Sequence, residues 1–306
     1  MRLAKNIFPD PVKDLPHHLS AVTSHPKELV RLFLDAWGKE KSMNILIADN
    51  ARPMIALRSD DPDFIPADES GLQAHQQKGW FVATQGWSDQ LRKLIAEGIL
   101  SPQDPTAGRA VQQLIQMLDI QGKQQPRILD LCAGLGTKTV QLARATPGGQ
   151  IFAFDISEQK CEQLRRRVAE LELKNVEILP AKQIESKEIQ KNFDAVLADV
   201  PCSNTGVLAR RVQARWRWPK LDRKELARTQ QKILQHAMSL VRPGGILVYS
   251  TCSIDPEENG RLIEKFLAAG SNSGMKIAHQ ETILPADSGD PTQRRDGGYI
   301  CVITSF

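Results

Sequence analysis

The chain has 306 residues, of which 41% are hydrophobic and 25% charged, and its formal net charge is +4. These values are typical of a globular protein, and so small a charge does not by itself identify a nucleic-acid partner. The five cysteines form no Cys-x-x-Cys pair, so we predict neither a metal site nor a disulfide framework. The amino terminus lacks a signal-peptide pattern and no run of eighteen apolar residues occurs, so we expect a cytoplasmic protein without membrane contact.

The first 124 residues predict a small α+β unit. Helical or strand-like apolar patterns occur at 26–37, 42–50, 53–59 and 107–120, the third of these being the strand. A loose stretch with proline follows at 60–70, and then a segment of glycines, tryptophans and glutamines at 71–90, to which we assign no element. We divide this part into an amino-terminal extension over 1–24 and a small subdomain with its connecting helix over 25–124.

From residue 125 onward the pattern becomes a regular alternation of strand and helix. Short apolar runs rich in β-branched residues lie at 127–134, 150–155, 176–180, 193–199, 245–251 and 297–304. Near-continuous apolar strands separated by helices are typical of a mostly parallel sheet covered on both faces. The sequence therefore predicts a Rossmann-like α/β domain over 125–306.

A glycine-containing loop follows the first of these strands. Gly134 and Gly136 let the backbone approach a ligand, and the helix that follows offers free amide groups. Asp155, at the end of the second strand, can accept hydrogen bonds from ribose hydroxyls. NAD, FAD and S-adenosylmethionine all fit such a site. Because position 139 is Thr rather than the third glycine, a cofactor without a pyrophosphate fits better than NAD does.

Two cysteines follow two of the predicted strands. Cys202 comes after the run 193–199 and Cys252 after the run 245–251. Free cysteine is often only a small buried hydrophobe. However, α/β sheets place their chemistry beyond the carboxyl ends of parallel strands. The polar or turn-forming neighbours of both cysteines favour thiol chemistry at one edge of the sheet.

A basic loop lies between the fourth strand of this region and its helix. Four arginines are interleaved with Trp216 and Trp218 and no acidic residue: Arg210, Arg211, Arg215 and Arg217. Arginines neutralise phosphates and indoles stack on bases, which indicates nucleic-acid binding. The alternative is a solvated basic loop whose tryptophans pack inward.

The motifs ILDLCAGLGTKT, FDIS, ADVPCSNTGVLARR and YSTCSIDPEENG, in this order, resemble the RNA cytosine-carbon-5 methyltransferases of the RsmB/Nop/Sun family. The bacterial branch that acts on small-subunit ribosomal RNA is the most similar, and the resemblance covers about residues 25–306. It implies a class I S-adenosylmethionine-dependent methyltransferase domain preceded by a small RNA-binding subdomain. The extra amino-terminal RNA-binding domain of that branch has no counterpart in this sequence.

The resemblance also implies roles for individual residues. Cys252 would attack carbon-6 of the cytosine, Cys202 would assist release of the enzyme, and Asp199 would contact the base. The expected S-adenosylmethionine contacts are Cys132, Ala133, Gly134, Leu135, Gly136, Thr137, Lys138, Asp155 and Asp199. Arg210, Arg211, Arg215 and Arg217 would contact RNA. We expect a monomer whose partner is ribosomal RNA, with tRNA as the alternative.

This chain departs from the family pattern in three places. The loop 134–138 reads Gly-Leu-Gly-Thr-Lys instead of Ala-Pro-Gly-Gly-Lys, and no carboxylate follows the third strand until Glu185. Residues 212–214 replace the usual His-Pro-Asp. An RNA-binding protein without turnover is therefore an alternative. A DNA cytosine methyltransferase is another, and it would use Cys202 as the nucleophile.

Two local expectations concern the surroundings of Cys252. Residues 255–258, Asp-Pro-Glu-Glu, resemble a capping box with proline at the first helical position, which predicts a helix beginning there. Nearby arginines are expected to lower the pKa of the nucleophilic thiol.

Overall fold

The computed structural model describes residues 8–61, 63–67, 70–269 and 274–305. The amino-terminal part begins with helices α1 (Leu15–Thr23) and α2 (Lys27–Asn50). Gly38 has φ 73° and interrupts the helical geometry of α2, so the two helices predicted over 26–37 and 42–50 are its two halves. Glycine tolerates this backbone conformation because it lacks a Cβ.

A small antiparallel sheet follows. It contains β1 (Ile55–Ser59), β2 (Leu72–Ala74), β3 (Trp80–Ala83) and β4 (Leu100–Pro102), in the order β2-β3-β1-β4. Helix α3 (Asp89–Ala96) packs on it through a cluster that includes Leu57, Phe81, Leu91 and Leu100. The sequence analysis assigned no element to 71–90 and so missed β2, β3 and the start of α3. Such short elements depend on their partners rather than on a periodic pattern of their own.

The remaining elements build the large sheet and its helices. In chain order they are α4 (Pro105–Ile120), β5 (Arg127–Asp130), α5 (Thr137–Ala145), β6 (Gln150–Ala153), α6 (Glu158–Glu170), β7 (Val176–Ile178), α7 (Ala181–Ile184), β8 (Phe193–Asp199), α8 (Val212–Arg217), α9 (Arg223–Leu240), β9 (Val241–Thr251), α10 (Gly260–Ala268), β10 (Met275–Ile283) and β11 (Gly298–Ser305). Strand β10 was not predicted. Its side chains are mostly half-buried or exposed, as expected for a strand at the edge of a sheet.

Within the described residues the strand order is β10-β11-β9-β8-β5-β6-β7. Strands β9, β8, β5, β6 and β7 run parallel, whereas β10 and β11 are antiparallel to their neighbours. Alternate residues of β8 face opposite sides, so Val196 belongs to one hydrophobic cluster and Ala195 to another. Helix α9 contributes to the first cluster and α4 to the second. The predicted mostly parallel sheet with helices on both faces is confirmed.

The amino-terminal helices reach the loops at the end of the large sheet. Phe33 and Ile45 of α2 share a buried cluster with Leu208, Trp218 and Ile254, which follow β8 and β9. These loops are therefore packed against the amino-terminal part, while the domain boundary near residue 125 stays a prediction. None of the described helices is long and apolar enough to cross a membrane.

Candidate active site

Strands β8 and β9 are neighbours, and each leads into a loop that carries a cysteine. We call residues 200–208 the Pro-Cys loop and residues 252–259 the Thr-Cys loop. The Sγ atoms of Cys202 and Cys252 lie 3.0 Å apart, and the Cys252 thiol also donates to Asn204 Oδ1 at 3.3 Å. The hydrogen bond with Cys252, together with burial, raises the pKa of Cys202 well above its usual value. Cys202 is therefore a protonated thiol at neutral pH.

One buried carboxylate joins the two loops. Glu258 is only 3% exposed, and its Oε2 accepts from the Ser203 amide and from Gln230 Nε2, each at 2.9 Å. Its Oε1 accepts from the hydroxyls of Ser203 and Ser253, the latter at 2.8 Å. Because both serines directly follow the cysteines, Glu258 fixes the position of one thiol relative to the other.

The predicted helix start at residues 255–258 is wrong, because α10 begins at Gly260. Asp255 still accepts a hydrogen bond from the Glu257 amide at 3.0 Å, as in a helix start. Glu258 instead turns inward to the buried donors of the two loops. Those donors are buried, so leaving them unpaired would cost more free energy than leaving the first amides of α10 uncapped in solvent.

A lysine–aspartate pair lies beside the thiols. Lys138 Nζ is 2.6 Å from Asp199 Oδ2, and the Ser250 hydroxyl donates to Asp199 Oδ1 at 2.7 Å. Burial lowers the pKa of Lys138. The charge of Asp199 and the hydrogen bond between Lys138 and Asp199 outweigh the effect of burial, so the pKa of Lys138 lies above its usual value. A charged ammonium therefore lies next to the carboxylate that was predicted to contact the base.

The loop between β5 and α5, residues 131–136, has the backbone that its glycines predict. Gly134 and Gly136 have φ 57° and 81°, and a Cβ at Gly136 would overlap Leu164 of α6. Asp155 accepts from the Gly134 amide at 2.9 Å and from the Ser157 amide at 2.9 Å. Asp155 thus fixes the shape of the loop, and Lys160 Nζ lies 3.5 Å from its Oδ1.

Asp130, at the end of β5, was missed by the sequence reasoning. It accepts from the Thr139 hydroxyl at 2.7 Å, while its Oδ1 is buried without a partner among the described residues. Burial raises its pKa to about 7. The one signal available was a carboxylate at the end of an apolar strand, directly before the glycine loop.

Most of the residues described above line one open cleft of about 550 Å³. The predicted site residues that line it are Cys132, Ala133, Gly134, Leu135, Thr137, Lys138, Asp199, Arg210, Arg211 and Cys252. Gly136, Asp155 and Cys202 do not line it. An inner recess beside Cys252 continues from the cleft, between Lys138, Asp199, Thr251 and Tyr299.

The predicted RNA-binding arginines separate into two groups. Arg215 is 4% exposed and donates to the backbone carbonyls of Asp49 and Ser24 and to Asn50 Oδ1, at 2.9, 3.2 and 2.9 Å. The prediction that Arg215 contacts RNA is therefore wrong, because this guanidinium is used inside the protein. Arg211 and Arg217 are exposed, and their guanidinium groups have no acidic partner within the described residues.

Arg210 lies in the cleft but is already bound. Its Nε is 2.5 Å from Asp296 Oδ2, its Nη2 is 3.1 Å from Asp104 Oδ2, and its Nη1 donates to the Met54 carbonyl at 2.6 Å. Burial, together with the charge of Asp104, raises the pKa of Asp296 to about 7, although Arg210 opposes this. Arg210 thus connects the small subdomain to the Pro-Cys loop and to the start of β11.

Of the two tryptophans in the basic loop, Trp218 is buried and Trp216 is exposed. The guanidinium of Arg223 covers the Trp218 ring at 4.6 Å from its centre. The indole of Trp218 thus anchors the loop, while the indole of Trp216 faces solvent. Of the two alternatives, inward packing applies to Trp218, and Trp216 stays available for stacking on a base.

Solved structures share this fold. The structure titled as a methyltransferase homolog protein from Pyrococcus horikoshii superposes with a TM-score of 0.72 at 22% identity, covering 97% of this chain and all of that one. NSun6 from Pyrococcus horikoshii, crystallised with SFG, superposes with a TM-score of 0.66 at 18% identity, covering 92% of this chain and 98% of the other. The chain shares its fold with both structures.

The sequence comparisons then define the family. Residues 115–295, well over half of the chain, match the family described as 16S rRNA methyltransferase RsmB/F, and the protein belongs to this family. Ribosomal RNA small subunit methyltransferase B of Klebsiella pneumoniae subsp. pneumoniae is 35% identical over 258 residues, which are 80% of this chain and 57% of that protein. The protein of the same name from Serratia proteamaculans is 32% identical over 259 residues, covering 79% of this chain and 57% of that protein. The chain thus spans somewhat over half the length of these relatives, and the predicted family resemblance is confirmed.

Proposed function

We propose that the protein transfers a methyl group from S-adenosylmethionine to carbon-5 of a cytosine in RNA, ribosomal RNA foremost. The observation that carries this proposal is the contact of two thiols, 3.0 Å apart, at the ends of adjacent parallel strands. One of them lines a cleft together with the Lys138–Asp199 pair. Membership of the family described as 16S rRNA methyltransferase RsmB/F supports methyl transfer to ribosomal RNA.

The residues present fit S-adenosylmethionine. The amides of Thr137 and Lys138, at the start of α5, find no acceptor among the described residues and can bind its carboxylate. The unpaired Oδ1 of Asp130 can accept from its ammonium group. Asp155 would accept from the ribose hydroxyls. When bound, this cofactor would supply the electrophilic methyl group.

The protein must make carbon-5 of the cytosine a better nucleophile. The Cys252 sulfur would add to carbon-6, which makes carbon-5 enamine-like and splits one difficult step into easier ones. Negative charge develops on the pyrimidine ring during this addition. Asp199, with the Lys138 ammonium beside it, would take the Cys252 thiol proton and donate it to the ring nitrogen as that charge develops. The ring nitrogen gives this proton up to solvent once the product is released. A base inside a helix cannot reach Cys252, so the cytosine must be unpaired or flipped out.

The second thiol would serve release. After methylation carbon-5 carries both a methyl group and a proton, and the Cys252 sulfur is bonded to carbon-6. Cys202, a thiol 3.0 Å from that sulfur, can protonate it as the carbon–sulfur bond breaks. The Cys202 thiolate then takes the proton from carbon-5, the ring double bond re-forms, and both cysteines end as thiols.

Methyl transfer from labelled cofactor to ribosomal RNA fragments and tRNA transcripts tests this proposal. We expect Cys252→Ala to be inactive and Cys202→Ala to accumulate a covalent protein–RNA adduct, detected as a band that survives denaturing electrophoresis. Cys161→Ala, which removes a buried thiol outside the cleft, serves as the matched control and should retain activity.

Three outcomes would contradict the proposal in different ways. Full activity of Cys252→Ala would remove the assigned nucleophile. Adduct formation by Cys252→Ala, with none by Cys202→Ala, would exchange the two roles. Absence of incorporation by the wild-type protein into any RNA would favour an RNA-binding protein that has lost turnover.

A further inference from the structure

An exposed indole stands at the cleft and has no part in the chemistry above. Trp87 is 51% exposed and lines the same cleft as Asp199 and Cys252. It does not line the inner recess beside Cys252. The indole therefore belongs to the outer part of the cleft, on the side formed by the small subdomain.

The Trp87 indole takes no part in the packing of the small subdomain. It does not belong to the buried cluster beneath α3, which is built from residues such as Phe81 and Leu91. Gly86, with φ 80°, forms the turn before it, and Ser88 after it caps α3 by accepting from the Leu91 amide at 3.1 Å. The Arg92 guanidinium lies 5.8 Å from the ring centre. An indole that is 51% exposed forgoes part of the free energy that burial of its apolar surface would give.

The charges of the outer cleft show what this indole could bind. Lys138 is paired with Asp199, and Arg210 is paired with Asp104 and Asp296. Arg211 lines the same cleft, and its guanidinium has no acidic partner in the described part of the chain. One free aromatic face and one free guanidinium match the two parts of a nucleotide, its base and its phosphate.

We infer that Trp87 is a stacking site for the nucleobase next to the target cytosine in single-stranded RNA, with Arg211 binding a neighbouring phosphate. This inference rests on the proposed function and adds a requirement to it. The RNA must be unpaired beside the target as well as at the target, because a base inside a duplex cannot offer its face to an indole. The small subdomain would then recognise unpaired RNA through this side chain.

Binding of a short RNA tests the inference directly. The probe is a fluorescein-labelled ten-nucleotide RNA with one central cytosine flanked by adenines, followed by fluorescence anisotropy. We expect Trp87→Ala to weaken binding about tenfold or more, and Trp87→Phe to retain most of the affinity because it keeps an aromatic face. Trp87→Leu should behave like the alanine variant. Phe8→Ala, which removes an equally exposed aromatic ring outside the cleft, is the matched control and should bind normally.

A second probe isolates the stacked base. When the nucleotides on both sides of the cytosine are abasic, wild type should lose affinity by the factor that Trp87→Ala causes, and Trp87→Ala should lose nothing more. Cofactor affinity, measured by calorimetry with S-adenosylmethionine, should be the same for wild type and Trp87→Ala. In methyl transfer, Trp87→Ala should raise the KM for RNA and leave kcat unchanged.

The results that would overturn the role of Trp87 differ from those that would overturn the proposed methyl transfer. Equal RNA affinity of Trp87→Ala and wild type would overturn the inference, as would absence of RNA binding by wild type. If Trp87→Ala loses as much affinity for S-adenosylmethionine as for RNA, Trp87 contacts the cofactor instead. If wild type binds the RNA but methylates none, the proposed function fails, while the anisotropy comparison still decides the role of Trp87.

Discussion

At the scale of single residues, Glu258 shows how a buried charge can organise two reactive groups. Its carboxylate accepts four hydrogen bonds from three residues, two of which, Ser203 and Ser253, each directly follow one of the thiols. The Tyr249 hydroxyl also donates to the Glu258 carbonyl at 2.7 Å. The Thr205 hydroxyl also bonds to both serine hydroxyls, at 3.4 and 2.9 Å, so Glu258 holds the cysteine pair as the charged centre of a shared network.

We therefore expect Glu258→Ala to lower the free energy of unfolding by on the order of 3 kcal/mol, because buried donors lose their acceptor. Glu257→Ala is the matched control. Its carboxylate pairs with Arg261 and Lys265 at the surface, so its loss should cost about 0.5 kcal/mol or less. Urea unfolding of both variants measures the difference. Equal stability of the two would show that the network contributes nothing.

Sequence reasoning could place the two cysteines near each other but could not find Glu258. Parallel strands end at the same sheet edge, so the positions of Cys202 and Cys252 follow from two apolar runs. The role of Glu258 depends on donors that lie 55 and 28 residues away in the chain. A local pattern in which Glu follows Asp by three residues gives no information about those distant donors.

At the scale of elements, the loop between β5 and α5 depends on one close approach. Gly136 stands at the start of α5 with φ 81°, and a Cβ there would overlap Leu164 of α6. Gly134 has a similar left-handed backbone, with φ 57°, but a Cβ there would contact nothing within 4 Å. The two glycines thus have different reasons for being glycine, although the sequence presents them alike.

We expect Gly136→Ala to reduce S-adenosylmethionine affinity at least tenfold, because either the buried Leu164 side chain or the start of α5 with its free amides must shift. Gly134→Ala should cost about 1 kcal/mol of stability, the ordinary penalty for this backbone conformation, without the clash. Calorimetric titration with the cofactor and thermal unfolding separate the two effects. If the two variants have the same cofactor affinity, the approach of Gly136 to Leu164 does not shape the site.

The elements that could be predicted are the buried strands whose sequences are continuous apolar runs. Strand β8 is buried along nearly its whole length, and the run 193–199 predicted its bounds. Strands β2 and β4 have three residues each, and their pairing is determined by strands elsewhere in the chain. A pattern of three residues is too short to distinguish a strand from a loop.

At the scale of the whole molecule, arginines of the basic loop connect the two parts of the chain. Arg215 donates to carbonyls after α1 and within α2, and Arg210 to the carbonyl of Met54. Sequence alone could not separate Arg215 from its exposed neighbours, because its acceptors, two backbone carbonyls and the Asn50 side chain, are 165 to 191 residues away in the chain. Its neighbours Arg211 and Arg217 remain candidates for RNA binding.

We expect Arg215→Ala to lower the free energy of unfolding by about 2 kcal/mol, since the buried Asp49 carbonyl loses its donor and two part-buried bonds, to Ser24 and Asn50, are lost as well. Arg217→Ala is the matched control from the same loop. It should leave stability unchanged, weaken RNA binding and reduce the slope of log affinity against log salt by about one. Urea unfolding and a salt series of RNA binding measure both. If Arg215→Ala is as stable as wild type, the structural role is wrong and Arg215 is again a candidate for RNA binding.

The cluster formed by Phe33, Ile45, Leu208, Trp218 and Ile254 has a consequence for how this protein can be divided. Leu208 and Ile254 belong to the loops that carry the cysteines, yet part of their apolar cover comes from a helix near the start of the chain. Cutting the chain at the change of pattern near residue 125 would therefore uncover the supports of the thiols. The amino-terminal helices act as part of the wall that holds the reactive loops in shape, so they cannot be exchanged as an independent RNA-binding attachment.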